Sequence, residues 1–418
     1  MATKETGGGG GGGNPQPLRR DALLPYISDD TKLGRLVKDR IQKEGFVVIP
    51  KVLTKAECET ELSRLWDFVE ATAPGVRRHD PDSWYPAPPG AVTTATDASA
   101  DPWPHSDWAH FPDMCQSFQA GWLFSDLREK LAARVFAPLY GTSRLHSSTE
   151  GFTFRRPAAP GAAPNGAVRP RVAGRAQTRA RGEHFDQRAA HAGLQCIQSS
   201  TALLDQDAGG ADGCFRCWPG SHAAHQDLTR GTWRGRSDWV PLTDEELAAL
   251  EGRWDLAPRD VPVRAGDVIL WRSDLAHCGA GPTSPRAAFR AVSYTCMLPA
   301  AMASPDVLAG RLDEYLEMRT GDHRPNVRDR HFGPPRKEGA RRGAPARGKY
   351  FAEGPPVLTW RQAQLYGLAP YDSSNGNFDI SSKVQLIDAK GEEKGFQISK
   401  TKHEGQLLSE EQEESKQE

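Results

Sequence analysis

The sequence predicts a mainly β domain with flanking helices, an α+β chain whose core is a sandwich or barrel. Short β-branched or aromatic runs recur between turn-rich stretches from Arg144 to Leu298, the pattern of short strands closing into a sandwich or barrel. Helical periodicity and a capping signal lie ahead of those runs, between Asp30 and Thr72. Of the 418 residues, 38% are hydrophobic, enough for a sizeable core in one large domain with extensions or two ordinary ones. The mean hydropathy of -0.61 places long polar segments outside that core.

Each element follows from local signals. Gly7 to Gly13 is an unbroken glycine run with no side chains to bury, so residues 1–29 are expected to be a disordered leader. Leu33, Leu36, Val37 and Ile41 repeat at helical spacing across Asp30–Glu44, and Gly45 ends that helix ahead of a buried strand, Phe46-Val47-Val48-Ile49-Pro50. Thr54 with Glu57 is a capping box that opens a second amphipathic helix to Thr72. Pro74–Pro104 reads as a long loop, with Trp84, Tyr85, Trp103 and Trp108 in or just past it; it is a candidate lid, or else its aromatics pack beneath it. Ser125 can cap a third helix over Asp126–Phe136. Strands are expected at Arg144–His146, Gly151–Phe154, Gln195–Leu204, Cys214–Trp218, Val261–Val263, Val268–Trp271 and Phe289–Leu298. Thr243 and Glu246 form another capping box, and Leu358–Gly367 a last short helix. The domain proper is thus expected over 30–310, with a basic insertion at 155–181. A C-terminal extension over 311–371 packs on or near it, and a polar, disordered tail occupies 372–418.

Net charge is -1, so bulk charge favours no class of partner. Two stretches depart from the average. Residues 155–181 hold seven arginines and no acid, and 321–349 hold nine Lys or Arg against three acids. Either could meet an anionic partner. The first has no aromatic residue on which bases could stack, so a solvated loop is the favoured reading and a nucleic-acid arm the alternative. Seven cysteines without a dense framework indicate free thiols in a reducing compartment. No signal-peptide or membrane-span pattern is visible, and a soluble cytoplasmic protein, as a monomer or homodimer, is the expectation.

The chemistry centres on His184-Phe185-Asp186. In an extended strand His184 and Asp186 share one face and Phe185 takes the other. One further imidazole would complete two histidines and one carboxylate on one face of a metal, a set that leaves positions open and suits non-heme Fe(II). His277, at the end of the run Gly266-Asp267 to Ala276-His277, is the best third ligand; His191, His222 and His225 compete. Cys214-Phe215-Arg216-Cys217 has the look of a zinc half-site, but no second cysteine pair stands at suitable spacing, so these thiols read as strand residues.

Five pieces in one order resemble the phytanoyl-CoA dioxygenase family over about residues 35–300: Gly45 to Pro50 with Leu53-Thr54, His184-x-Asp186, Gly213 to His222 with its Pro-Gly-Ser-His turn, Gly266-Asp267 leading to His277, and Arg290. The resemblance implies a double-stranded β-helix core of the jelly-roll or cupin type. It implies an Fe(II)- and 2-oxoglutarate-dependent dioxygenase using O2, with ascorbate as a possible reductant. It assigns His184, Asp186 and His277 as metal ligands. Arg290 would hold the far carboxylate of 2-oxoglutarate, a task suited to a bidentate, permanently charged guanidinium; Arg286 is the alternative. His222 matches a family residue that is not a ligand. Related halogenases lack the acidic ligand, so Asp186 implies hydroxylation, with succinate and CO2 as products. Some family members carry Trp where Ser200 stands here, so the remaining co-substrate contacts are unassigned. The substrate is expected to be a small molecule or acyl-type compound. A nucleic-acid-acting protein and a catalytically silent scaffold on the same fold are the alternatives.

Overall fold

The computed structural model describes residues 21–73, 75–86, 102–104, 114–115, 125–157, 184–185, 193–207, 213–230, 240–280, 289–316, 323–326, 357–371 and 386–387. Its order begins earlier than expected: Leu23 and Ile27 are buried in the core, so residues 21–29 belong to the fold and not to a leader.

Helix α1 (Lys32–Lys43) starts where the Thr31 side chain accepts the Gly34 N–H, and α2 (Lys55–Thr72) starts at the full Thr54–Glu57 capping box. Gly45, at φ 86°, turns the chain out of α1, a backbone conformation that favours glycine. A third helical run begins at Ser125–Leu131 and continues through Ala132–Phe136 to Tyr140. These helices bury Val37, Ile41, Leu65, Phe68 and Phe136 against Ile197, Leu270 and Ala291.

The strands are β1 (Phe46–Ile49), β2 (Met114–Cys115), β3 (Leu145–Ser147), β4 (Phe152–Arg155), β5 (His184–Phe185), β6 (Ile197–Ala202), β7 (Phe215–Cys217), β8 (Val240–Pro241), β9 (Arg259–Val261), β10 (Val268–Arg272), β11 (His277–Gly279), β12 (Arg290–Tyr294) and β13 (Met297–Pro299). They form a six-stranded sheet, β1-β10-β6-β12-β4-β2, and a five-stranded sheet, β8-β5-β11-β7-β9, both with antiparallel pairing. The single strand expected over Phe289–Leu298 divides in two. β12 pairs with β4 and β6, whereas β13 pairs with β3 in a separate ribbon. Between them the Cys296 N–H turns to the Ser148 hydroxyl, and the change of partner ends the first strand.

The two sheets face each other. Phe46, Ala202, Ile269 and Trp271 of the first meet Phe215, Cys217 and Val261 of the second in one buried cluster. Phe185, Trp218, Val240 and Leu250 form another on the far side of the five-stranded sheet. Pro305–Leu316, for which no sequence signal was read, is a helix, and the expected last helix is Trp360–Leu365 with its own capping box at Thr359. The basic stretches 158–181 and 327–349, and 388–418 of the tail, lie outside the described residues.

Candidate active site between the two sheets

Alternation along the strands decides which residues enter the space between the sheets. On β12 the neighbouring Phe289 packs outward, with ring centroids 5.3 Å from Trp66, 4.8 Å from Trp84 and 5.2 Å from Phe154. Arg290 therefore takes the inner face, where it is buried. On β11, His277 pairs in register with Cys217, and Gly279 with Phe215, so His277 shares the inner face with the buried cluster. Its ring lies 5.4 Å from that of Trp271 and 5.5 Å from that of Phe215.

Three contacts set the approach to His277. The chain leaves β10, in one sheet, and enters β11, in the other, through a turn pinned by the buried Arg272–Asp274 pair at 2.5 and 2.8 Å. The Ser221 hydroxyl accepts the Ala276 N–H at 2.8 Å, and the Trp218 N–H donates to Ala276 O at 3.0 Å. The Pro-Gly-Ser-His turn is thus a clamp on the residue preceding His277. Further back, Gly266 O accepts the N–H groups of Val52 and Leu53, and the Asp267 carboxylate accepts those of Lys51 and Arg264. The Gly-Asp motif staples the β1–α2 loop to the start of β10. Asp274, Arg272 and Ser221 were not singled out in the sequence as positioning groups; the signal was their closeness to His277, in chain position or through the motif.

His277 Nδ1 stands 2.8 Å from Leu275 O. A carbonyl oxygen only accepts, so Nδ1 is the donor, and in the neutral ring this leaves Nε2 as the nitrogen that a metal would use. The β5–β11 register sets His277 opposite His184. The His184 side chain, Asp186, His191 and Arg286 lie outside the described residues. Among the described residues no three His, Cys, Asp or Glu side chains gather as a metal site; Asp186 is not one of those residues.

The two described competitors, His222 and His225, sit elsewhere. His225 is buried with its ring edge-on to Phe185 at 4.8 Å, on the reverse side of the five-stranded sheet. His222 Nε2 donates to Gln42 O at 3.1 Å beside the end of α1, and burial, with the charge of Arg272, pushes its pKa down. Cys214 and Cys217 are buried, and burial raises both thiols, which matches strand residues and not thiolate ligands.

Arg290 differs from Arg272 and Arg311, two other buried guanidinium groups. Arg272 has Asp274, and Arg311 has Glu314 at 3.5 Å. Among the described residues Arg290 has a single side-chain hydrogen bond, from Nε to Gln206 Oε1 at 3.3 Å, and no carboxylate pairs with it. Its Nη1 would stand 3.6 Å from a Cβ on Gly279, so its charged end crosses the gap to β11, two residues beyond His277. Ser200 lies on the inner face of β6, in register with Ile269 and Tyr294.

Of the candidate lid aromatics, Trp103 is core and Trp84 is partly buried against it. Trp103 is 1% exposed, donates from Nε1 to Phe154 O at 3.2 Å and packs on Trp66 and Phe154. Trp84 packs on Trp66 and Phe289. Trp108 lies outside the described residues.

Residues 170–291 match the model of the family described as Phytanoyl-CoA dioxygenase (PhyH). Over this segment the chain is similar to that family. The matched segment runs from before β5 into β12, contains His184, Asp186, His277 and Arg290, and supports a dioxygenase-type enzyme. No curated protein matches the chain. Among solved structures it is similar to the epimerase SnoN in complex with Fe3+, alpha ketoglutarate and nogalamycin RO, with 18% identity, 64% of this chain and 83% of that one covered, and a TM-score of 0.39. It is similar to AviO1 from Streptomyces viridochromogenes, with 20% identity, coverage of 65% and 96%, and a TM-score of 0.37. EctD from S. alaskensis with bound Fe gives 16%, 66% and 82%, and 0.37. Among the described residues no helix is long and apolar enough to cross a membrane.

Proposed function

We propose that this PhyH-family chain is an Fe(II)- and 2-oxoglutarate-dependent dioxygenase that hydroxylates a small-molecule or acyl-type substrate, on a double-stranded β-helix formed by the two facing sheets. The observation that carries this reading is Arg290. A buried guanidinium is costly without a partner, and Arg290 has only Gln206 among the described residues. It extends towards Gly279 on β11, two residues beyond His277. A dicarboxylate with one end at a metal near His277 and the other at Arg290 would satisfy both groups. The separation suits it: two strand residues span about 7 Å.

His184, Asp186 and His277 would hold the metal. The cross-strand pairing of His184 with His277 supports this, because directly opposed positions in an antiparallel pair share a face. Iron held there, with 2-oxoglutarate and O2, would supply the oxidising power for a C–H bond, with one oxygen atom ending in the hydroxylated substrate, the other in succinate, and the lost carboxyl leaving as CO2. The protein's own part is to present Nε2 of His277 through the Leu275 carbonyl, to orient the co-substrate through Arg290, and to keep water away with Trp271 and Phe215. The test is succinate formation from 2-oxoglutarate under air, with Fe(II) and ascorbate, across a panel of small molecules. Iron-dependent succinate that disappears in His277→Ala is expected. Equal succinate in wild type and variant would sink the reading.

A further inference from the structure

We propose that Arg155 is a second cationic contact for the far carboxylate of the 2-oxo acid, so that this end of the site is a two-arginine clamp; this rests on the co-substrate reading above. The register carries it. Arg290 on β12 is directly opposite Arg155 on β4, and opposed residues share a face with their Cβ atoms about 5 Å apart. The neighbouring positions agree. Phe154 packs outward on Trp103 and Phe289, and the Thr153 hydroxyl meets that of Tyr294 at 3.2 Å on the inner side.

Both guanidinium groups reach the same edge of the opposite sheet. The Arg290 Nη1 faces Gly279. The Arg155 Nη2 occupies the space that a Cβ on Gly213 would fill, a space also bounded by Ala280 O. Gly213 has φ 77°, so glycine there serves both the turn and the cradle. Gly213 and Gly279 are close neighbours in the fold: β7 and β11 pair Phe215 with Gly279, and the Ala280 N–H donates to Cys214 O at 2.8 Å. Arg155 has further interactions in the fold, so the ligand's carboxylate would be one partner of its guanidinium among others. A carboxylate that reached both guanidinium groups would accept a charge-assisted hydrogen bond from each. Arg155 heads the arginine-rich stretch read in the sequence as a solvated loop or anionic-partner arm. Its place on β4 gives this one arginine a separate role.

The test is anaerobic calorimetric titration of the Fe(II)-loaded protein with 2-oxoglutarate and with 2-oxopentanoate, which has the same chain without the far carboxylate. Wild type should prefer 2-oxoglutarate. Arg155→Gln should weaken 2-oxoglutarate by on the order of tenfold or more, the worth of one charge-assisted hydrogen bond, and leave 2-oxopentanoate unchanged, which also shows the variant to be folded. Arg155→Lys should recover part of the loss. If Arg155→Gln binds 2-oxoglutarate as wild type does, or weakens both acids equally, the assignment of Arg155 is overturned. Wild type that binds neither acid would overturn the co-substrate reading itself and this assignment with it.

Discussion

Glu61 offers a measurable consequence of burying a carboxyl group beside the site's scaffold. It lies on α2, fully buried, with Oε1 3.1 Å from Arg64 Nη1, and Oε2 has no hydrogen-bond partner among the described residues. Burial raises its pKa from 4.5 to about 7, against the opposing charges of Arg64 and Lys130. The native state therefore keeps a proton that the unfolded chain has already released. Stability falls as pH rises from 4.5 to about 7, and the cost is fully imposed above that. At about 1.4 kcal/mol per pH unit it reaches about 3 kcal/mol. His146 runs the other way. Burial, with the charge of Arg311, lowers its pKa from 6.5 to about 4, so its contribution is present above 6.5 and is lost as pH falls towards 4. The two partly cancel in the wild type, and the informative quantity is a difference. Urea unfolding of Glu61→Gln and wild type should show the variant gaining about 3 kcal/mol relative to wild type between pH 4.5 and pH 8. A difference that is the same at both pH values would refute the buried, protonated Glu61.

Two other perturbations test the site's supports. Ser221→Ala removes the acceptor of the buried Ala276 N–H and should cost about 1–3 kcal/mol; it should also weaken Fe(II) binding through His277, read by metal titration, and unchanged metal affinity would argue against the clamp. Trp103→Ala should destabilise the fold by about 3–5 kcal/mol, measured by denaturant unfolding, because Trp103 is core; a loss of substrate affinity with stability intact would restore the lid reading.

Local chemistry was the most legible part of this sequence. The capping boxes at Thr54 and Thr243 formed as written, since donor and acceptor lie within one turn. Strand positions such as Phe46–Ile49 and Val268–Arg272 followed from β-branched runs buried on both faces. What failed depended on partners far along the chain. The break at Thr295–Cys296 follows from β3 and Ser148, which no local pattern announces. The helix Pro305–Leu316 was hidden because its buried face carries Arg311 and Glu314, which interrupt the apolar repeat while pairing with each other. In the site, His277 and Arg290 stood out through motifs. The opposition of Arg290 and Arg155, and the clamp of Ser221 on Ala276, needed the register of strands more than a hundred or some fifty residues apart.

The most direct measurement is anaerobic addition of Fe(II) and then 2-oxoglutarate to the metal-free protein, with His184→Ala, His277→Ala and Arg290→Ala in parallel, following the weak visible absorption of a metal–2-oxo-acid chelate. The account predicts that the band forms in wild type, is lost in both histidine variants and needs far more 2-oxoglutarate in Arg290→Ala. A wild type that binds no Fe(II), or a band that all three variants retain, would contradict it.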